Sequence, residues 1–238
     1  MAVVANEKNV EKKVAAFFDV DNTLVRGATT ILFGKVAFRD GTIKRRDIWK
    51  FAYEQMMFIR RGEKNQTLAN IKDRALSVTK GYSVSTLEPL MQTVYDSEIK
   101  PRLWPKTVAA VKDHLAQGHE VWLITAAPLE LAELIAKDLG ATGALGTLVE
   151  KKDGVLTGEL IGEPLHGQAK REAAKKLAIE RGISLSKSWA YSDSVNDLPL
   201  LTLVKNAVAV NPDKELTRYA EAANWKILRF KKRDLKRA

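Results

Sequence analysis

The chain contains no cysteine, and that absence excludes disulfides, thiol nucleophiles and zinc–thiolate centres. Three histidines in 238 residues argue against a histidine-rich metal site. No stretch approaches the roughly 18 uncharged apolar residues that a membrane span requires. The opening MAVVANEKNVEKKV carries charges where a signal peptide needs an apolar core, so a cytoplasmic enzyme is expected. Long-period repeats, coiled-coil heptads and low-complexity tracts are missing too. The glycines of GATGALG (140–146) do not lead from a strand into a helix, so they are not a dinucleotide loop.

What is present describes an ordinary globular protein, 45% hydrophobic and 29% charged. Its length allows one large domain, or a core with a smaller companion. The net charge is +10, and the segment KILRFKKRDLKRA (226–238) holds seven basic residues against one acidic. Such a run reads first as a solvated terminus; weak contact with an anionic membrane through it is the alternative, and no nucleic-acid partner is expected. The remaining positive excess would draw an anionic substrate.

The most informative stretch is FFDVDNTLV (17–25). Residues 14–18 (VAAFF) read as a fully buried strand, too apolar to alternate. Asp19 and Asp21 follow it one residue apart, with Thr23 two further on. Strand side chains alternate, but the chain turns here, so both carboxylates can face one pocket. Two carboxylates sharing a site do not both ionise easily, which suits a division of labour in which one attacks and the other carries a proton. Further polar residues sit in matching places. VWLIT (121–125) is a second buried strand, ending at Thr125. KSWAYSDSVND is a third, running into Asp193 and Asp197. Lys170 starts a helix that Gly182 closes. All of these lie at carboxyl ends of strands or amino ends of helices, the edge where an open parallel sheet binds ligands.

The four motifs DVDNT (Asp19, Asp21, Thr23), LIT (Thr125), Lys170 and SDSVND (Asp193, Asp197) resemble those of the haloacid dehalogenase superfamily of phosphohydrolases. The likeness is to its phosphoserine-phosphatase-like branch, subfamily IB. It covers about two thirds of the chain and fades between the first and second motifs. The resemblance implies an α/β fold, a Rossmann-like doubly wound parallel sheet, with a helical cap of the C1 type inserted after the first strand. The expected core is 1–27 and 101–238, and the expected cap 28–100, which would exclude water and read the substrate beyond its phosphate. It further implies that Asp19 is the nucleophile and Asp21 the general acid, then base. Mg²⁺ would be held by the carboxylates of Asp19 and Asp193 and the Asp21 carbonyl, with Asp197 orienting them from behind. Thr125, the Ala126 amide (with that of Ala127 as a further candidate) and Lys170 would hold the phosphate.

Between the motifs, DIWKFAYEQMMFIRR, NQTLANIKDRALSVTKG and SVSTLEPLMQTVYDSEI read as helices. From position 103 strands and helices alternate, implying a parallel sheet covered on both faces. Residues 145–150 and 154–160 read as short strands joined by an Asp-Gly hairpin turn, and 207–213 as the last strand. The expected partner is a small phosphorylated metabolite, hydrolysed through an aspartyl-phosphate. Two departures leave the ester open. Phosphoserine phosphatase usually carries a glutamate soon after the first motif, and residues 25–31 contain no acid. It usually has Ser-Gly-Gly at the second motif, where this chain has Thr125-Ala126-Ala127. Glycerol phosphate, phosphocholine and lysophosphatidate are alternatives. So is a phosphotransferase outcome. A dehalogenase would need neither a second acid nor a metal, and Asp21 and Asp193 argue against it.

Overall fold

The computed structural model describes residues 12–42 and 80–236. Of the helices expected between the motifs, the first and all but the last two residues of the second lie outside these residues.

Strand β1 (Ala15–Phe18) has no exposed residue, and its side chains alternate between two packed faces. Ala16 and Phe18 join one core cluster, with Leu123, Val111 and Leu131; Ala15 and Phe17 join the other, with Ile124, Ala174, Leu177 and Leu200. A strand covered on both sides has no polar face to show, which is why VAAFF lacks alternation. Burying each phenylalanine contributes about 1.5–3 kcal/mol.

The chain then runs through α1 (Thr29–Arg39), α2 (Val84–Val94) with a π-helical turn at Tyr95–Ile99, and α3 (Pro105–Ala116). Next come β2 (Glu120–Pro128), α4 (Leu129–Leu139) and β3 (Gly143–Thr147). A hairpin of β4 (Val149–Lys152) and β5 (Val155–Leu160) precedes α5 (Gln168–Arg181). The end of the chain holds β6 (Trp189–Ser192), α6 (Leu198–Leu201), β7 (Asn206–Val210), α7 (Lys214–Ala222) and β8 (Lys226–Leu228). The main sheet has order β3-β2-β1-β6-β7-β8, and every pair is parallel. Helices cover both faces, the α/β Rossmann-like arrangement expected. The order reverses at β1, which lies between β2 and β6, and such a switch point opens a crevice at the strands' carboxyl ends.

Local signals account for several boundaries. Gly182 takes a left-handed φ of 68° and closes α5. Asp153 and Gly154 both have positive φ, 52° and 76°, as a two-residue hairpin turn demands. That hairpin is tied to the chain entering α2: Gly81 N–H donates to the Leu156 carbonyl at 2.8 Å, and Val84 N–H to the Gly154 carbonyl at 2.8 Å.

Two segments differ from expectation. Residues 145–150 are not one strand: 143–147 is β3, the outer strand of the main sheet, and the hairpin begins at Val149. Gly143 and Gly146 leave β3 no apolar run to detect, because the Trp122 ring and the backbone of Leu129 and Ala127 fill the space where their side chains would stand. The last strand is also not 207–213. The segment read as a basic tail begins with β8, whose two apolar residues are too few for a periodic pattern. Lysine on an edge strand discourages further pairing. Phe230 holds this end in place, its N–H donating to Asn211 Oδ1 at 2.6 Å and its ring 5.5 Å from Trp104. No helix among the described residues is long and apolar enough to cross a membrane.

Candidate active site

Three adjacent strands deliver the candidate residues to one crevice. Asp19 follows β1, Thr125 lies in β2, and Asp193 follows β6. Asp19 N–H donates to the Tyr191 carbonyl at 2.9 Å, so the β1–β6 pairing itself sets the position of that carboxylate. Lys170, in the first turn of α5, is buried with 3% of its surface exposed. Its ammonium donates to Asp19 Oδ1 and Asp197 Oδ2, each at 2.6 Å. Thr23 Oγ1 lies 3.0 Å from Asp19 Oδ2 and 3.4 Å from Asp193 Oδ1, so these two carboxylates face one point.

Asp197 precedes α6 but does not cap it with its side chain. Its Oδ2 accepts instead from Lys170 and from Ser192 Oγ at 2.8 Å. Asp21 stands slightly apart. Its Oδ1 accepts from the Thr29 amide at 2.9 Å and the Thr29 hydroxyl at 2.7 Å, which fixes this oxygen at the amino end of α1 and leaves Oδ2 for a proton. Asn22 supplies the turn between the two aspartates and α1, with φ of 60° and its Oδ1 accepting from Gly27 N–H at 3.0 Å. At Thr125 the hydroxyl oxygen accepts the Ala127 N–H at 3.1 Å. The amide of Ala127, the further candidate beside that of Ala126, is therefore spent within the turn. The α4 amino end, with Pro128 at its cap, lies directly behind.

Three carboxylates around one ammonium leave an excess of negative charge. Burial pushes Asp19 up to about 6, and the Lys170 charge limits that rise while Asp197 and Asp21 add to it. Asp193 rises further, to about 7, through burial and then repulsion from Asp19 and Asp197. Burial alone would lower the Lys170 ammonium, but Asp19 and Asp197 outweigh it and hold it above its ordinary value. Among the described residues Asp193 forms no ion pair, and Thr23 Oγ1 is 3.4 Å from its Oδ1. No described group of three or more Asp, Glu, His or Cys side chains is arranged to hold a metal by itself. Mg²⁺ does not need one, since it commonly takes one or two carboxylates plus substrate phosphate and water. The oxygen donors of Asp19 and Asp193, facing one point and both raised chiefly by burial, fit such an ion.

Sequence reasoning missed several contributors. Thr29 and Ser192 are buried hydroxyls bonded to the site's carboxylates. Asp213 caps α7 through Oδ1 at 2.7 Å from Leu216 N–H, holds Val195 N–H with Oδ2 at 2.8 Å, and donates its own N–H to the Asp193 carbonyl at 2.9 Å. Its signal was present in the sequence, an Asp just after the β7 strand and before a helical pattern.

The chain belongs to the haloacid dehalogenase-like hydrolases, whose family model matches residues 16–202. Within that family it lies in the phosphoserine-phosphatase-like branch of phosphatases. It is 44% identical over 223 residues to phosphoserine phosphatase SerB1 of Mycobacterium tuberculosis, covering 93% of this chain and 72% of the relative. It is 31% identical over 226 residues to a histidinol-phosphatase of Neisseria meningitidis, covering 92% of this chain and 100% of that one. Among solved structures, a Bordetella pertussis protein of unknown function superposes with a TM-score of 0.80 at 28% identity, covering 91% of this chain and 98% of the other.

Proposed function

We propose that the chain is a magnesium-dependent phosphatase that hydrolyses a small phosphate monoester through an aspartyl-phosphate on Asp19. The observation that carries this reading is the Lys170 ammonium held at 2.6 Å between Asp19 and Asp197, with Asp193 facing Asp19 across Thr23. An anionic nucleophile must approach an anionic phosphoryl group, and a buried lysine beside it offsets that repulsion. Asp19, Asp193 and the Asp21 carbonyl would hold the Mg²⁺, which when bound supplies the remaining positive charge at the phosphoryl oxygens.

The Asp19 carboxylate attacks phosphorus and the ester P–O bond breaks. Asp21 gives its proton to the departing alkoxide, a poor leaving group without one. Asp21 then takes a proton from water as that water attacks phosphorus, and the bond to Asp19 breaks to release inorganic phosphate. Thr29 holds the Asp21 carboxyl from one side through both steps. The Thr125 hydroxyl, its oxygen already accepting the Ala127 N–H, keeps a proton to donate to a nonbridging oxygen, together with the Ala126 amide. Lys170 keeps its charge throughout.

The substrate is a small phosphorylated metabolite. Relatives named for phosphoserine and for histidinol phosphate are both similar to this chain, so the ester is decided by groups beyond the phosphate site. The test is phosphate release with and without Mg²⁺ across a panel of small esters, including phosphoserine, histidinol phosphate and glycerol phosphate, with Asp19→Asn as control. Turnover lost on chelation and in the variant is expected. Folded protein that releases no phosphate from any ester would overturn the reading, and phosphate appearing on a second alcohol would make the enzyme a transferase.

A further inference from the structure

The anion-binding turn at Thr125–Pro128 is a bulge in the sheet, and its shape is imposed by the neighbouring strand. Strand pairing places Ile124 opposite Leu145 and Pro128 opposite Thr147. Thr125, Ala126 and Ala127 therefore stand opposite one residue, Gly146. Bulges of this kind re-aim backbone groups beside functional sites. A methyl group on Gly146 would lie 2.6 Å from Leu129 Cα, 2.8 Å from Leu129 N and 3.0 Å from the Ala127 carbonyl oxygen. All three neighbours are backbone at the bulge or the first residue of α4, and none can swing aside.

Thr147 completes the support. Its side chain is buried, with 2% of the residue exposed. The hydroxyl donates its one proton to the Ala126 carbonyl at 2.9 Å and accepts from Leu165 N–H at 3.1 Å. The other edge of the same peptide is held too, because Ala127 N–H donates to Thr125 Oγ1. Two threonines on neighbouring strands thus clamp the Ala126–Ala127 peptide plane from opposite edges. Leu165 lies in the segment that leads into α5 and Lys170, so one hydroxyl joins both sides of the crevice.

We propose that Gly146 and Thr147 are positioning residues that hold the bulge ready to bind the phosphoryl group, so that Thr147 governs affinity for tetrahedral oxyanions. This rests on the phosphatase reading above. Donors fixed before the anion arrives bind it without the cost of ordering them. Without the Thr147 hydroxyl, the part-buried Ala126 carbonyl and Leu165 amide each lose this partner. The peptide can then turn to find one, taking the Ala127 N–H from Thr125 and scattering the donors.

The test compares Thr147→Val, which keeps the shape and removes the hydroxyl, with Thr147→Ser, which keeps the hydroxyl. Orthovanadate and inorganic phosphate are the probes, read as competitive inhibition of p-nitrophenyl phosphate turnover beside thermal melting. We expect Thr147→Val to weaken inhibition by both oxyanions about tenfold and to raise KM similarly, with Thr147→Ser within about twofold of wild type. Thr147→Ala gives the same readout if the valine variant does not fold. Gly146→Ala should weaken inhibition further. A melting temperature that falls while oxyanion inhibition stays within twofold would make Thr147 merely structural and overturn the inference, as would a serine variant no better than valine. Wild type that neither turns over nor binds vanadate would overturn the phosphatase reading and this inference together; active wild type with an unaffected valine variant overturns the inference alone.

Discussion

Replacing Asp193 with asparagine should make the metal-free protein more stable while abolishing its activity. Asp193 is held at about 7 against an ordinary 3.8, because burial and then the charges of Asp19 and Asp197 disfavour its ionised form. The folded state thus keeps this proton at pH values where the unfolded chain has released it. That term supports folding fully below about pH 4 and is lost as pH rises through 7. With each unit worth about 1.36 kcal/mol, ionising Asp193 costs the folded state at most about 4 kcal/mol at pH 8.5. Asparagine carries no charge, and its carbonyl can still accept from Thr23 across the 3.4 Å contact. In chelator at pH 8.5, Asp193→Asn should melt higher than wild type by at most roughly 8–16 °C, taking about 2–4 °C per kcal/mol for a chain this size. At pH 5 the gap should shrink to about half or less, since wild-type Asp193 is then protonated when folded. Comparing the two proteins at each pH removes groups they share. Calorimetry in chelator is the assay. A variant that melts at or below wild type at pH 8.5, or a gap that grows toward pH 5, would refute the electrostatic reasoning.

Other perturbations follow from particular contacts. Lys170→Met leaves Asp19 and Asp197 buried without their shared cation, which should cost about 3–5 kcal/mol of stability by urea unfolding along with activity. Thr29→Val removes the hydroxyl that donates to Asp21 at 2.7 Å; kcat should fall about tenfold with KM little changed, and Thr29→Ser should restore it. His114 is buried, one ring nitrogen 2.9 Å from the Tyr191 hydroxyl and the other 2.9 Å from His119 Nδ1. Burial and then His119 hold it down at about 4 from an ordinary 6.5, so folding should lose at most about 3 kcal/mol as pH falls from 6.5 to 4. His114→Phe should flatten that part of the urea-unfolding pH profile.

Much of the site was legible because it obeys one local rule. Asp19, Thr125 and Asp193 each end or follow an apolar run that could only be a buried strand, and parallel strands bring such ends to one edge. Lys170 was legible from its place at the start of a capped helix. What escaped were groups whose meaning depends on register between distant segments. Thr29 and Thr147 are ordinary threonines in sequence, and only the pairing of β2 with β3 and the turn at Asn22 set their hydroxyls on Ala126 and Asp21. Ser192 stood beside Asp193 in plain view, but whether its side chain met Asp197 depended on the fold of the α6 turn. In β3 the glycines that close packing requires erased the strand's hydrophobic signal. In β8, charge on an edge strand hid two apolar residues inside a basic run.

The central claim is that Asp19 carries the phosphoryl group between ester and water. Its most direct test is acid quenching during turnover of the best ester of the panel, followed by peptide mass spectrometry. A phosphoryl group on the peptide containing Asp19, absent when magnesium is chelated and absent in Asp19→Asn, is the predicted result. Steady turnover with no phosphorylated peptide, or with the label on another residue, would contradict it.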